Sequence, residues 1–161
     1  MKARLFILIL LCALCHSDQI LLSQTVNTNY LRRDETLQYD EIALTFSAVC
    51  HPLPDLRTLG LGVDKVQFLD ASSNSLFTID VGTAAGSCYL GEGWYYAETL
   101  APGLTMCWAN ALATKAVIYC QVPSGSRFLD FVCTAACTSL TTEVLLNGRV
   151  LGSFSLPANS G

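Results

Sequence analysis

The chain has 161 residues, 52% of them apolar and 14% charged, with a formal net charge of −4. That length suits one domain with a real hydrophobic core, and the acidic balance makes nucleic acid and anionic membrane surfaces poor partners. Removal of the leader described next would take away Lys2 and Arg4 and no acid, leaving −6.

Met1, Lys2, Ala3 and Arg4 precede an apolar run over residues 5–15 and then His16 and Ser17. A short basic start followed by an apolar run well under the ~20 residues of a membrane span is the form of a secretory signal peptide. Cleavage after Cys15, with Ala13 at −3, or after Ser17, with Cys15 at −3, both fit; the second is preferred, so the expectation is a signal peptide over residues 1–17 and one secreted, extracellular domain over residues 18–161. No later apolar run reaches the length of a transmembrane helix, so no transmembrane anchor is expected. The first twenty residues resemble the leader and first mature residues of influenza haemagglutinins, and nothing downstream follows that pattern.

Residues 20–26 read as a first short strand within an otherwise irregular N-terminal segment, 18–41. Its polar part carries Arg32-Arg33, read as a solvated loop, with a dibasic processing site as the alternative. Residues 42–50 form a strand, with Ile42, Leu44, Phe46 and Ala48 alternating against Ala43, Thr45, Ser47 and Val49, and Pro52 and Pro54 end it. Residues 55–63 read as a loop with Gly60 and Gly62 as turn residues.

Residues 64–82 organise the rest. Folded as a hairpin over Ala71, Ser72, Ser73 and Asn74, they set Phe68 opposite Phe77, Val66 opposite Ile79 and Lys65 opposite Asp80. Val66, Phe68, Phe77 and Ile79 then share an apolar face that a second sheet must cover, because a lone hairpin is marginal in water. A Gly-rich passage over 82–93 follows, then strands over 94–100, 104–110, 115–122 and 127–135. Alanine enrichment leaves a short helix over 107–115 as an alternative. Asn147-Gly148 marks a type I′ hairpin between 141–146 and 149–156, pairing Leu145 with Val150 and Thr141 with Phe154. Its expected inward face is Leu145, Val150, Phe154 and Leu156.

Many short strands without a long helix predict an all-β fold, an antiparallel β-sandwich of Ig-like or jelly-roll type, stabilised by disulfides. The text of residues 143–154, EVLLNGRVLGSF, resembles the late hairpin of galactose-binding-like jelly rolls. The text AVIYC, residues 116–120, resembles an Ig F strand, although Ile118 stands where that strand has its Tyr. Neither resemblance extends beyond its hairpin or strand.

Six cysteines remain after export: Cys50, Cys88, Cys107, Cys120, Cys133 and Cys137. An even count in an oxidising compartment predicts three disulfides. Cys133 and Cys137 on one strand would be ~13 Å apart, too far to bridge, so they take different partners unless a turn intervenes at Thr134 to Ala136. A zinc site needs thiolates kept reduced and more histidine than His51 alone, so no metal and no cofactor is expected. The scarcity of histidine also disfavours nucleophile and base chemistry, and no G-x-S-x-G, H-E-x-x-H or phosphate-loop motif occurs. No Asn-x-Ser/Thr sequon occurs either.

The expected activity is therefore non-catalytic recognition of an extracellular protein or glycan, with a structural coat or envelope role and a secreted hydrolase as alternatives. The candidate binding residues are Tyr89, Trp94, Tyr95, Tyr96 and Trp108, aromatics beside Gly86, Gly91 and Gly93. On a strand, Trp94 and Tyr96 share one face and Tyr95 takes the other, so at least one ring should escape the core.

Overall fold

The computed structural model describes residues 22–27, 39–52, 54–110, 112–113 and 115–158. The signal peptide and Arg32-Arg33 lie outside the described residues. The elements run β1 (Leu22–Asn27), β2 (Asp40–Phe46), β3 (Leu59–Leu69), β4 (Ser75–Asp80), α1 (Ala84–Ser87), β5 (Trp94–Ala101), β6 (Leu104–Asn110), β7 (Ala116–Cys120), β8 (Phe128–Ala135), β9 (Leu140–Leu146) and β10 (Arg149–Leu156). They build two antiparallel sheets, one ordered β1-β8-β3-β6-β5 with β4 also on β3, the other β10-β9-β2-β7.

The pairs β1·β8, β2·β7 and β3·β6 nest inside one another, like a long hairpin wound around a common axis. That is jelly-roll connectivity and not the ABED/CFG order of an Ig domain. The inner faces of both sheets form one core, with Val63, Val66, Phe68, Leu129 and Phe131 on the first and Ile42, Leu44, Ile118, Val144 and Leu146 on the second.

The central hairpin has the expected register, Lys65 with Asp80, Val66 with Ile79 and Phe68 with Phe77. The Asp70 carboxylate shapes its turn, accepting from Ser72 N (2.7 Å), Asn74 N (2.9 Å) and Asn74 Nδ2 (3.0 Å). These bonds hold its pKa below the ordinary value, and Ser73 takes a positive φ of 64°. Val66, Phe68 and Ile79 are fully buried, whereas Phe77 is half-buried between Phe68 and an edge-on Tyr89.

Three expectations need correction. Residues 59–63 are strand and not loop, because β3 extends over Gly60 and Gly62. A Cβ on Gly62 would lie 2.4 Å from Met106 Sδ and 2.8 Å from the Trp108 ring, so this glycine lets β6 side chains cross β3. The expected strand over 104–110 forms as β6, in place of the helix alternative over 107–115, and the expected first strand forms as β1 on the edge of its sheet.

In the last hairpin, Val150 pairs with Leu145 as expected, but a bulge before Gly152 shifts Phe154 onto Thr142. One extra residue reverses the alternation beyond it. Val150 is consequently exposed, and the inward face is Leu140, Thr142, Val144 and Leu146 with Phe154 and Leu156.

Where three disulfides are expected, the structure forms one among the described residues, Cys50–Cys137, with Cα atoms 5.9 Å apart. Cys88, Cys107, Cys120 and Cys133 stand as thiols. Cys107 and Cys133 both pair with Val63, from opposite sides of β3, which separates them by two strand spacings, ~9.5 Å. That exceeds what a disulfide tolerates. Cys120 lies in the other sheet, and Cys88 is exposed after α1. Burial pushes the Cys107 thiol up to about 11 and that of Cys120 up to about 12, and raises that of Cys133 as well.

Candidate functional site

The five candidate aromatics do not converge on one surface. Tyr89 packs on the core and against Phe77. Trp94 also packs on the core, and its Nε1 donates to Val117 O at 2.8 Å, tying β5 to β7 of the facing sheet. Trp108, 4% exposed, joins Leu59 and Met106 in a second apolar cluster on the outer side of β3 and β6. Tyr95 covers that cluster, with its hydroxyl 3.1 Å from Asn110 Oδ1 and 3.4 Å from Thr58 O. Tyr96 alone leaves the fold, at 93% exposure.

A bulge produces this division. Trp94 pairs with Ala109 and Ala97 with Cys107, so Tyr95 and Tyr96 together stand opposite the single residue Trp108. Trp94 and Tyr96 therefore lose the shared face that simple alternation gives them. A second bulge lies between Thr99 and Ala101, and the two together blunt this edge strand against pairing with another chain.

A charged cradle fixes the neighbouring loop. Arg57 ion-pairs with Asp55 (2.5 Å) and with Glu98, and its guanidinium lies over the Tyr95 ring, 5.4 Å from the centroid. Arg57 N also donates to Asp55 Oδ1 at 2.9 Å, closing a tight turn around Leu56. The bonds from Arg57 lower the Asp55 pKa, and those from Asp55 and Glu98 raise that of Arg57. The backbone at Cys50 bridges Leu59, and the disulfide to Cys137 anchors the start of the same loop.

The result is a rigid platform from which several apolar side chains project. Leu56 is 91% exposed and Leu112 is 78% exposed, with Leu112 N bonded at 3.0 Å to the Asn110 Oδ1 that Tyr95 also contacts. Val49, beside Cys50, is exposed as well. Val49, Leu56, Tyr96 and Leu112 thus belong to the end of the sandwich where β2 leaves and β3 begins. Sequence reasoning missed Leu56 and Leu112. The available signal was an apolar residue isolated inside a turn segment, Pro54-Asp55-Leu56-Arg57, where no strand alternation calls for burial.

His51 Nδ1 lies 3.2 Å from Thr58 Oγ1, a hydroxyl on a buried residue, and Asp55 is engaged by Arg57. Among the described residues no group of three or more His, Cys, Asp or Glu is arranged to hold a metal ion, and no helix is long and apolar enough to cross a membrane. No protein-family model, no curated protein and no solved structure matches the chain.

Proposed function

We propose that this protein is an exported, non-catalytic interaction module of jelly-roll form that binds an extracellular protein through the end carrying Val49, Leu56, Tyr96 and Leu112. The observation that carries this reading is Tyr96, a large ring almost wholly in solvent beside a Tyr95 fixed by hydrogen bonding and an Arg57 contact. Exposed aromatic anchors on a rigid support contribute binding energy with little ordering cost, which is how interface hot spots work. The leader supports export, and the bonding of His51 to a buried hydroxyl supports a structural role for the one histidine near the platform.

The test places a photocrosslinking amino acid at position 96 and, as a control, at the exposed Ser153 of β10, in protein applied to intact cells. A species crosslinked from position 96 and not from 153 is then purified and its affinity measured. Tyr96→Ala and Leu56→Ala should each weaken binding at least ~10-fold, about 1.4 kcal/mol, with an unchanged melting temperature. Equal crosslinking from both positions, or full affinity in both variants, refutes the reading.

A further inference from the structure

Asp40 opens β2 at the end of the sandwich opposite Tyr96, and it is only 3% exposed. Its Oδ1 accepts from Asn147 Nδ2 and its Oδ2 from Val122 N, both at 3.0 Å. Both donors are neutral. Among the described residues no cation forms an ion pair with Asp40, although its neighbour Glu41 has Lys115 at 2.8 Å. Buried carboxylates ordinarily have a charged partner as well as hydrogen bonds, and here the bonds come from neutral groups. A carboxylate offers about four lone-pair sites, so acceptor positions remain on Asp40.

Those positions adjoin a cleft of about 140 Å³ between β2 and the connection from β7 to β8. Val122, Pro123 and Leu146 give it apolar walls, residues 124–126 form its lip, and Arg127 also lines it. The lip is pre-shaped: Ser126 Oγ donates to Pro123 O at 2.7 Å, Arg127 N to Leu69 O at 2.8 Å, and Gly125 takes a φ of 90°. A cavity of ~150 Å³ accommodates a benzene, six heavy atoms. A four-carbon chain ending in an ammonium has five.

We infer that the cleft binds a protonated primary amine, with the ammonium donating to Asp40 and the alkyl stem lying against Val122, Pro123 and Leu146. The chemistry is shared by a free alkylamine and by a lysine side chain of a partner protein. Exposed Arg127 opposes any cation at the cleft and a multiply charged one most, so one slender monovalent group fits it best. None of these residues belongs to the Tyr96 platform, so the two readings stand or fall separately.

Titration of ¹⁵N-labelled protein with n-butylammonium, Nα-acetyl-lysine methylamide and 1-butanol, followed by amide chemical shifts, tests this. Butylammonium should move the Val122, Ser124, Gly125 and Ser126 signals saturably and bind at least ~10-fold more tightly than 1-butanol, its neutral counterpart. Asp40→Asn should abolish that discrimination. Ser124→Tyr, which closes the mouth without touching Asp40, should abolish the shifts, and it carries the test if Asp40→Asn does not fold. Tighter binding of the lysine derivative identifies a partner's lysine as the ligand, and binding of butylammonium alone identifies a free amine. No saturable shift with either cation, equal binding of 1-butanol, or unchanged binding in Ser124→Tyr overturns the proposal.

Discussion

Replacing Asn147 by Gly should leave the last hairpin its turn and remove its clamp. Asn147 and Gly148 sit at φ 49° and 76°, and glycine takes both values without steric penalty. The backbone bond from Asn147 N to Glu41 O, 2.8 Å, also survives. Two side-chain bonds are lost: Nδ2 no longer donates to Asp40 Oδ1 (3.0 Å), and Oδ1 no longer accepts from Glu41 N (2.8 Å). A hydrogen bond to a charged group contributes ~1.5 to 3 kcal/mol and a neutral one ~0.5 to 1.5, so Asn147→Gly should destabilise by about 2 to 4 kcal/mol. Urea denaturation at pH 7 reads this as a lower midpoint with an unchanged slope. Gly148→Ala is the comparison. Open space surrounds a Cβ there, so only the left-handed backbone matters, at about 1 to 2 kcal/mol. An Asn147→Gly midpoint within about 0.5 kcal/mol of wild type would show that the turn alone holds the hairpin and that the contact with β2 adds nothing.

Phe68→Ala should cost about 3 to 5 kcal/mol, because Phe68 is fully buried, whereas half-buried Phe77→Ala should cost about half as much; equal midpoint shifts in the two variants would contradict the burial seen here. Alkylation without reductant, followed by intact mass, should modify one thiol in native protein lacking residues 1–17, the exposed Cys88, and four after unfolding; a native protein with no reactive thiol would mean that further disulfides form. Burial, with a smaller contribution from Asp80, raises the Asp64 pKa against the opposing effect of Lys65. The unfolded chain therefore releases this proton first as pH climbs past 3.8, and the Asp64 contribution to stability falls until the folded-state pKa is passed. Asp64→Asn should accordingly raise the urea midpoint at pH 7 and lose that gain in acid, and a gain independent of pH would sink the assignment. Thr142 Oγ1 is buried with no hydrogen-bond partner among the described residues, so Thr142→Val should stabilise by about 1 to 2 kcal/mol in the same assay, and a loss of stability would mean that the hydroxyl is bonded after all.

The central hairpin was legible because both of its strands alternate strictly and a single register satisfies apolar and charged pairs together, Phe68 with Phe77 and Lys65 with Asp80. Bulges defeat that kind of reading. The extra residue before Gly152 moved Val150 from the expected core face into solvent while leaving Phe154 and Leu156 buried, and nothing in the local text distinguishes the two outcomes. Glycine was ambiguous for a related reason. Gly60 and Gly62 read as turn residues, but Gly62 lacks a side chain because Met106 and Trp108 cross above it, a requirement set by residues more than forty positions away. The same distance separates the cysteine count from its outcome, since Cys107 and Cys133 are kept apart by Val63 lying between them.

The aromatic site followed the same logic at its edge. Alternation promised that one ring of Trp94, Tyr95 and Tyr96 would escape the core, and one does, but which ring depends on the bulge that sets two residues opposite Trp108. Tyr95 stays because its hydroxyl finds Asn110 and its face finds Arg57, and Tyr96 is left with neither. The Asp40 cleft was less legible still. In sequence Asp40 is one acid in a polar connector, and only folding brings Asn147, 107 positions away, and Val122, 82 positions away, to its two oxygens. A buried charge becomes informative once its partners can be counted. Here, among the described residues, two neutral donors from different sheet connections converge on one carboxylate beside an open cleft, which is a stronger pointer to a cationic ligand than any arrangement of acids along the chain.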